Sequence, residues 1–133
     1  LPLSLRRQRQ MCIRDRSSPL AVSGGLAGWQ LRRITEHIQD RLTEDVSLND
    51  LASLAGLSPR HLCTAFRKST GVPPHRWQIE RRVEHAKSML ANPALTITDV
   101  ALACGFGTPS HFATMFRQTT GCTPSAWRRE RLR

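Results

Sequence analysis

No stretch of this chain stays apolar for anything near the ~18 residues of a membrane-spanning helix, so the sequence offers no candidate span. No apolar run followed by a small-residue cleavage site marks a secretory signal. Gly-rich phosphate loops, metal-ligand spacings and paired carboxylates are also missing. The expectation is a protein that is not an enzyme, with no catalytic residues, metal or cofactor, resident in the cytoplasm and not in a membrane. The four cysteines, Cys12, Cys63, Cys104 and Cys122, form no CxxC pair. Three lie among apolar or small residues and read as buried thiols of a reducing compartment. Acidic residues are scarce, 10 against 20 basic ones, for a net charge of +10 and a pI of about 11.3. That excess suits a polyanionic partner, or else a solubilising surface. A chain of 133 residues holds one compact domain or two very small ones.

What is present begins oddly. The run Arg6-Arg7-Gln8-Arg9-Gln10-Met11-Cys12-Ile13-Arg14-Asp15-Arg16 resembles the translated sequence of a short-read library adapter. Residues 1–16 therefore read as an artefactual leader, with a basic nucleic-acid-binding arm as the alternative. Without them the charge is +6, and the chain is still basic. Residues 17–28 carry Ser-Ser-Pro and Ser-Gly-Gly, a flexible linker composition that implies something once preceded it. From Trp29 a helix is expected, with Leu31, Ile34, Ile38 and Leu42 on one face.

Two similar passages come next. Ser47 with Asp50 three residues on is a capping-box arrangement, starting a short helix with Leu48, Leu51, Ala52 and Leu54 available to a core. Gly56 ends it, and Ser58-Pro59 starts a second helix that carries Leu62 and Phe66 inward and stops at Gly71. Thr96 with Asp99, Gly105-Phe106 and Thr108-Pro109 repeat these features, with Gly107 inserted. Pairing residues 48–57 with 97–106 and 58–77 with 108–127 gives twelve identities in thirty positions, an internal duplication with a period near fifty. Between the copies, Pro74 starts an amphipathic stretch with Ile79, Val83, Ala86 and Leu90 at helical spacing, ending at Asn92-Pro93.

Each copy is a capped helix, a glycine turn and a second capped helix. That is the pattern of a helix-turn-helix, whose second helix lies in a DNA major groove; a duplicated structural bundle is the alternative. Around Leu62 and Phe66, the helix from Ser58 leaves Arg60, His61, Cys63, Thr64, Arg67 and Lys68 outward. Around Phe112 and Phe116, the helix from Thr108 leaves Ser110, His111, Ala113, Thr114, Arg117 and Gln118 outward. These small, polar or basic sets suit base edges and phosphates.

Residues 29–131 resemble the C-terminal DNA-binding domain of AraC/XylS-family transcription regulators. The likeness rests on Leu51-Ala52, Gly56-Leu57-Ser58 and Phe66-Arg67-Lys68 in the first copy, and on Arg82-Val83-Glu84-His85-Ala86 in the linking helix. In the second copy it rests on Val100-Ala101, Gly105-Phe106, Ser110-His111-Phe112, Met115-Phe116-Arg117 and Gly121-Cys122-Thr123-Pro124. The resemblance implies an all-α fold of about seven helices: a helix-turn-helix subdomain at 29–73, a linker helix at 74–92 and a second subdomain at 93–131. It implies a sequence-specific transcription regulator that inserts two recognition helices into successive major grooves of double-stranded DNA. RNA polymerase is the further partner, and an N-terminal effector or dimerisation domain is missing. The expected base readers are Arg60, Cys63 and Thr64, then Ser110, His111, Ala113 and Thr114. Ser58, His61, Arg67, Lys68, Thr108 and Arg117 are the expected phosphate or backbone contacts. Arg60 could instead touch phosphate, the two histidines could make internal hydrogen bonds, and Arg67, Lys68 and Arg117 could pair with neighbouring acids. Alternatives are the DNA-binding module of an alkylation-repair regulator, although its clustered thiols are missing, and a helix-turn-helix that contacts only protein.

Three structural expectations complete the reading. Trp77 and Trp127 should be core anchors. Arg82 should make a structural ion pair. The linking helix should act as a rigid spacer, so that a one-residue insertion, turning the second subdomain by ~100°, would harm binding far more than stability.

Overall fold

The computed structural model describes residues 24–132; the leader at 1–16 and most of the expected linker lie outside them. Seven helices and no strand occur among the described residues: α1 Gly28–Asp40, α2 Leu48–Ala55, α3 Pro59–Thr70, α4 Pro74–Leu90, α5 Ile97–Ala103, α6 Pro109–Thr120 and α7 Pro124–Arg131. The all-α fold expected from the sequence is the fold observed.

The helix starts match the sequence closely because capping is local chemistry. Ser47 Oγ accepts from the N–H groups of Asn49 (3.1 Å) and Asp50 (3.4 Å). Ser58 and Thr108 accept from His61 and His111, and Thr123 accepts from Ala126. The reciprocal bond that completes a capping box forms in the second copy, where Thr96 N–H donates to Asp99 (3.0 Å) and Asp99 N–H donates to Thr96 (2.9 Å). The bond from the Thr96 backbone N–H, which ends on the carboxylate, is the main cause that holds the Asp99 carboxyl below its ordinary range. Each such cap is worth about 0.5–2 kcal/mol.

The described chain forms two compact units. One comprises residues 24–38 and Val46–Pro74; the other comprises Gln39–Asp45 and 75–132. In the first unit α2 packs on α3, and Ile34, Ile38, Leu51, Ala52, Ala55, Leu62, Ala65 and Phe66 are buried. Leu48 is 41% exposed, contrary to expectation, because it opens α2 at the surface; Ala55 is buried near the helix end. The second unit has a continuous core of Ile79, Val83, Ala86 and Leu90 from α4 against Val100, Ala101, Cys104, Phe106, Phe112 and Phe116. Truncating one of these phenylalanines would cost about 3–5 kcal/mol.

That core changes the reading of α4. Its apolar stripe is one wall of the second unit, so an inserted residue would rotate half of that stripe out of the core. Such an insertion should therefore cost stability as well as binding. The thiols also need revision: Cys104 is buried and burial pushes it up to about 11, whereas Cys63 and Cys122 are only half-buried.

Trp77 and Trp127 are half-buried, and Trp127 packs against the second unit's core. The ring of Trp127 meets Phe116 edge-on at 5.8 Å and carries Arg131 at 4.1 Å and Lys87 at 5.0 Å. Arg81 lies over Trp77 at 5.1 Å, and Arg33 over Trp29 at 5.6 Å. A tryptophan with a stacked arginine four residues on thus occurs in α1, α4 and α7, each stack a cation–π contact at helical spacing. This repetition exposes a longer duplication. Residues 29–42 and 77–90 share six of fourteen positions, namely Trp29/Trp77, Gln30/Gln78, Arg33/Arg81, Glu36/Glu84, His37/His85 and Leu42/Leu90. The repeating unit therefore includes the helix before each helix-turn-helix.

Candidate nucleic-acid interface

The two second helices are built alike from end to end. Each starts with a capped Ser/Thr-Pro pair and ends at a glycine, Gly71 or Gly121, with φ 92°. The Gly71 N–H donates to Arg67 O at 2.7 Å and the Gly121 N–H to Arg117 O at 2.8 Å. Near each end a threonine hydroxyl reaches the carbonyl four residues back, Thr70 to Phe66 at 2.9 Å and Thr120 to Phe116 at 2.8 Å. The same hydroxyls reach the carbonyls of Val72 and Cys122 beyond the glycine.

In the first unit, Leu62, Ala65 and Phe66 turn into the core, which leaves Ser58, Arg60, His61, Thr64, Arg67 and Lys68 exposed and Cys63 half-buried at the edge. In the second, Phe112 and Phe116 are buried, Thr108, Ser110, His111, Thr114, Arg117 and Gln118 are exposed, and Ala113 is half-buried. Each unit therefore brings its own sequence-predicted residues onto one helix face. An α-helix about 10–12 Å across with such a face fits the ~12 Å major groove.

Several side chains have defined roles within that face. Thr64 Oγ1 donates to the Arg60 carbonyl at 3.2 Å, leaving its lone pairs to accept. The imidazole of His111 stands edge-on to Phe106, with centroids 5.6 Å apart. Arg60, Arg67, Lys68 and Arg117 take part in none of the salt bridges seen among the described residues. Arg67, Lys68 and Arg117 lie in last helical turns, where cations complement the helix dipole. The Lys68 amine lies 2.7 Å from where a side chain on Gly24 would begin, so it extends over that glycine rather than away from the unit.

Two turns hold these helices in place. The Leu57 N–H donates to the Ala52 carbonyl and the Phe106 N–H to the Ala101 carbonyl, each at 3.0 Å. Gly56 and Gly105 both have positive φ, 71° and 91°. Only Gly105 is also closely packed: a Cβ there would lie 2.7 Å from Thr43 Cα. Spacing alone could not separate the two glycines, because Thr43 is 62 residues away in sequence.

Arg82 makes the expected ion pair, with Asp45, but its shorter contacts are to backbone carbonyls. It is 4% exposed, donating from Nε to Leu42 O (2.7 Å) and from Nη2 to Glu44 O (3.1 Å). The Asp45 carboxylate is 3.8 Å away and fully exposed, a weak partner. Burial lowers the Arg82 pKa, which Asp45 only partly opposes. Gln78 donates to the same carbonyls, to Glu44 at 2.7 Å and to Leu42 at 3.5 Å. Arg128, which comes directly after the second repeated tryptophan as Gln78 does after the first, donates to Leu90 O (3.1 Å) and Asn92 O (3.3 Å). Sequence reasoning missed these clamps, although the repeated Trp-Gln of α1 and α4 was a signal for them.

No group of three or more His, Cys, Asp or Glu side chains that could hold a metal ion occurs among the described residues, and no helix there is long and apolar enough to cross a membrane.

Two capped helix-turn-helix units, each presenting a polar and basic second helix, define a class of duplicated DNA-binding domain. A family model described as a helix-turn-helix domain matches residues 51–130. The chain belongs to that helix-turn-helix family, in its AraC-type branch of DNA-binding domains. It is 39% identical over 77 residues to the XylDLEGF operon transcriptional activator 2 of Pseudomonas putida, covering 56% of this chain and 49% of that protein. The chain thus spans about half the length of that relative. Among solved structures it is similar to a Chromobacterium violaceum transcriptional regulator of the AraC-type DNA-binding-domain class, at 28% identity and TM-score 0.70, covering 77% of this chain and 91% of that one. It is also similar to the DNA-binding domain of AdpA, a global transcriptional factor solved with a target DNA, at 31% identity and TM-score 0.68, covering 76% and 91%.

Proposed function

We propose that this chain is the sequence-reading portion of a larger transcription regulator, and that α3 and α6 enter successive major grooves of one double-stranded DNA. The observation that carries this is the matched pair of exposed faces, Arg60-His61-Thr64 and Ser110-His111-Thr114, set on identically capped helices. Arg60, Cys63 and Thr64 contact bases in one groove; Ser110, His111, Ala113 and Thr114 contact bases in the other. Cys63 and Ala113 offer only apolar contact, such as to a thymine methyl. Arg67, Lys68 and Arg117 contact phosphates, as do Ser58, His61 and Thr108 near the helix starts, where N–H groups favour anions. The protein acts in the cytoplasm on the nucleoid and is not an enzyme. Effector or dimerisation functions belong to an N-terminal domain, and RNA polymerase is the partner through which transcription changes.

The test is equilibrium binding to short duplexes at two salt concentrations. Binding at ~50 mM salt that weakens steeply by ~200 mM is the expected result, since each neutralised phosphate adds about 0.9 to the log–log slope. Absence of binding at low salt, or binding indifferent to salt, would sink the proposal.

A further inference from the structure

Arg82 is the one charged residue buried among the described residues, and the proposed DNA contacts do not use it. Its guanidinium joins three parts of the second unit. One is the segment at 42–45, whose Leu42 and Glu44 carbonyls take its Nε and Nη2 hydrogens. Another is Gly105, where a Cβ would sit 3.1 Å from Arg82 Nε and 3.0 Å from the Thr43 carbonyl. The third is Phe106, whose ring centroid lies 5.9 Å from the guanidinium carbon. Phe106 in turn packs on Phe112 (5.1 Å) and His111 (5.6 Å), both in the first turn of α6. The planar guanidinium presents Nε and Nη2 to two carbonyls in a fixed geometry, which a lysine ammonium on its flexible stem does not hold as rigidly.

We propose that Arg82 is a positioning residue for the second recognition helix. It clamps the 42–45 segment onto the α5–α6 turn and, through Phe106, fixes the pose of His111. This rests on the proposal that α6 contacts bases. Gln78 assists, because it shares both carbonyls. Asp45 is a bystander.

The experiment uses the full chain and duplexes that the wild type enriches from random DNA. The box read by α6 is the one whose preference changes in Ser110→Ala. Discrimination between the best and mismatched bases is then measured at each box for Arg82→Lys, Gln78→Ala and Asp45→Ala, well below each variant's melting temperature. Arg82→Lys should lose about tenfold discrimination at the α6 box, the scale of one specific base contact, and none at the α3 box. Gln78→Ala should shift the same box by less, and Asp45→Ala should match the wild type. If Arg82→Lys does not fold, Gln78→Ala carries the test alone. Unchanged discrimination at the α6 box, or equal losses at both boxes, overturns the positioning role. A wild-type chain that enriches no sequence overturns the DNA proposal itself, and this role with it.

Discussion

The imidazole of His111 rests edge-on against Phe106, the planes 75° apart, while its copy His61 comes after a turn that has Leu57 in the same place. The duplication thus gives two histidines one sequence position but two settings. An aromatic edge-to-face contact is worth about 0.5–1.5 kcal/mol and restricts the ring it supports. Phe106→Leu, which copies the first repeat, should therefore broaden base preference beside His111. The α3 box should keep its preference. Enrichment from random DNA by the two proteins would decide it, and identical preferences would refute the supporting role.

Thr64 gives a more chemical prediction. With its hydrogen donated to the Arg60 carbonyl, the hydroxyl can only accept, which suits the amino group of adenine or cytosine. Thr64→Ala should reduce preference for one such base by about 1–3 kcal/mol and leave other positions alone. Arg117→Ala should instead weaken all duplexes alike and reduce the salt slope by about 0.9. If both variants behave the same way, the division between base readers and phosphate contacts is wrong.

The paired glycines should separate by stability. Gly56→Ala meets only the left-handed backbone penalty, about 1–2 kcal/mol, since nothing lies within 4 Å of an added Cβ. Gly105→Ala carries that penalty and also a collision with the Thr43 backbone, so its loss should be clearly the larger. Denaturant midpoints of the two variants measure this, and equal losses would contradict the packing at Gly105.

The second cap gives an effect on the acid side. The hydrogen bond from the Thr96 backbone N–H to its carboxylate is the main cause that lowers the Asp99 pKa, so the ionised form is the one that stabilises the fold. That contribution is fully present above the ordinary carboxylate value of about 3.9 and disappears as pH falls through the lower folded value. Asp99→Asn should therefore lie below wild type in stability at neutral pH, and the gap should close below about pH 4. A gap that persists unchanged into acid would show that the carboxylate charge is not involved.

Much of this domain was legible because it is local. Ser58-Pro59 and Thr108-Pro109 set helix starts, Gly71 and Gly121 set ends, and the positions of Leu62, Phe66, Phe112 and Phe116 decided which side chains point out. Those relations span four residues or fewer, within reach of one helical turn or one cap. The Trp-Gln repeat joining α1 to α4 was equally local in kind and could have been found; the twelve identities of the larger repeat stopped short of it.

The sequence by itself determined the helices, the duplication and the two outward faces, since hydrogen bonds to the next turn and a 3.6-residue period need no knowledge of the rest of the chain. Only the tertiary structure decided that α4 is a wall of the second core and that 39–45 belongs to the second unit. It also decided that Arg82 holds two carbonyls besides an exposed acid and that Gly105, unlike Gly56, has a backbone pressed against it. The contacts of Gln78 and Arg82 with Leu42, and of Gly105 with Thr43, join residues 36 to 62 positions apart. No spacing rule encodes such pairings, because packing chooses them only after the helices have formed.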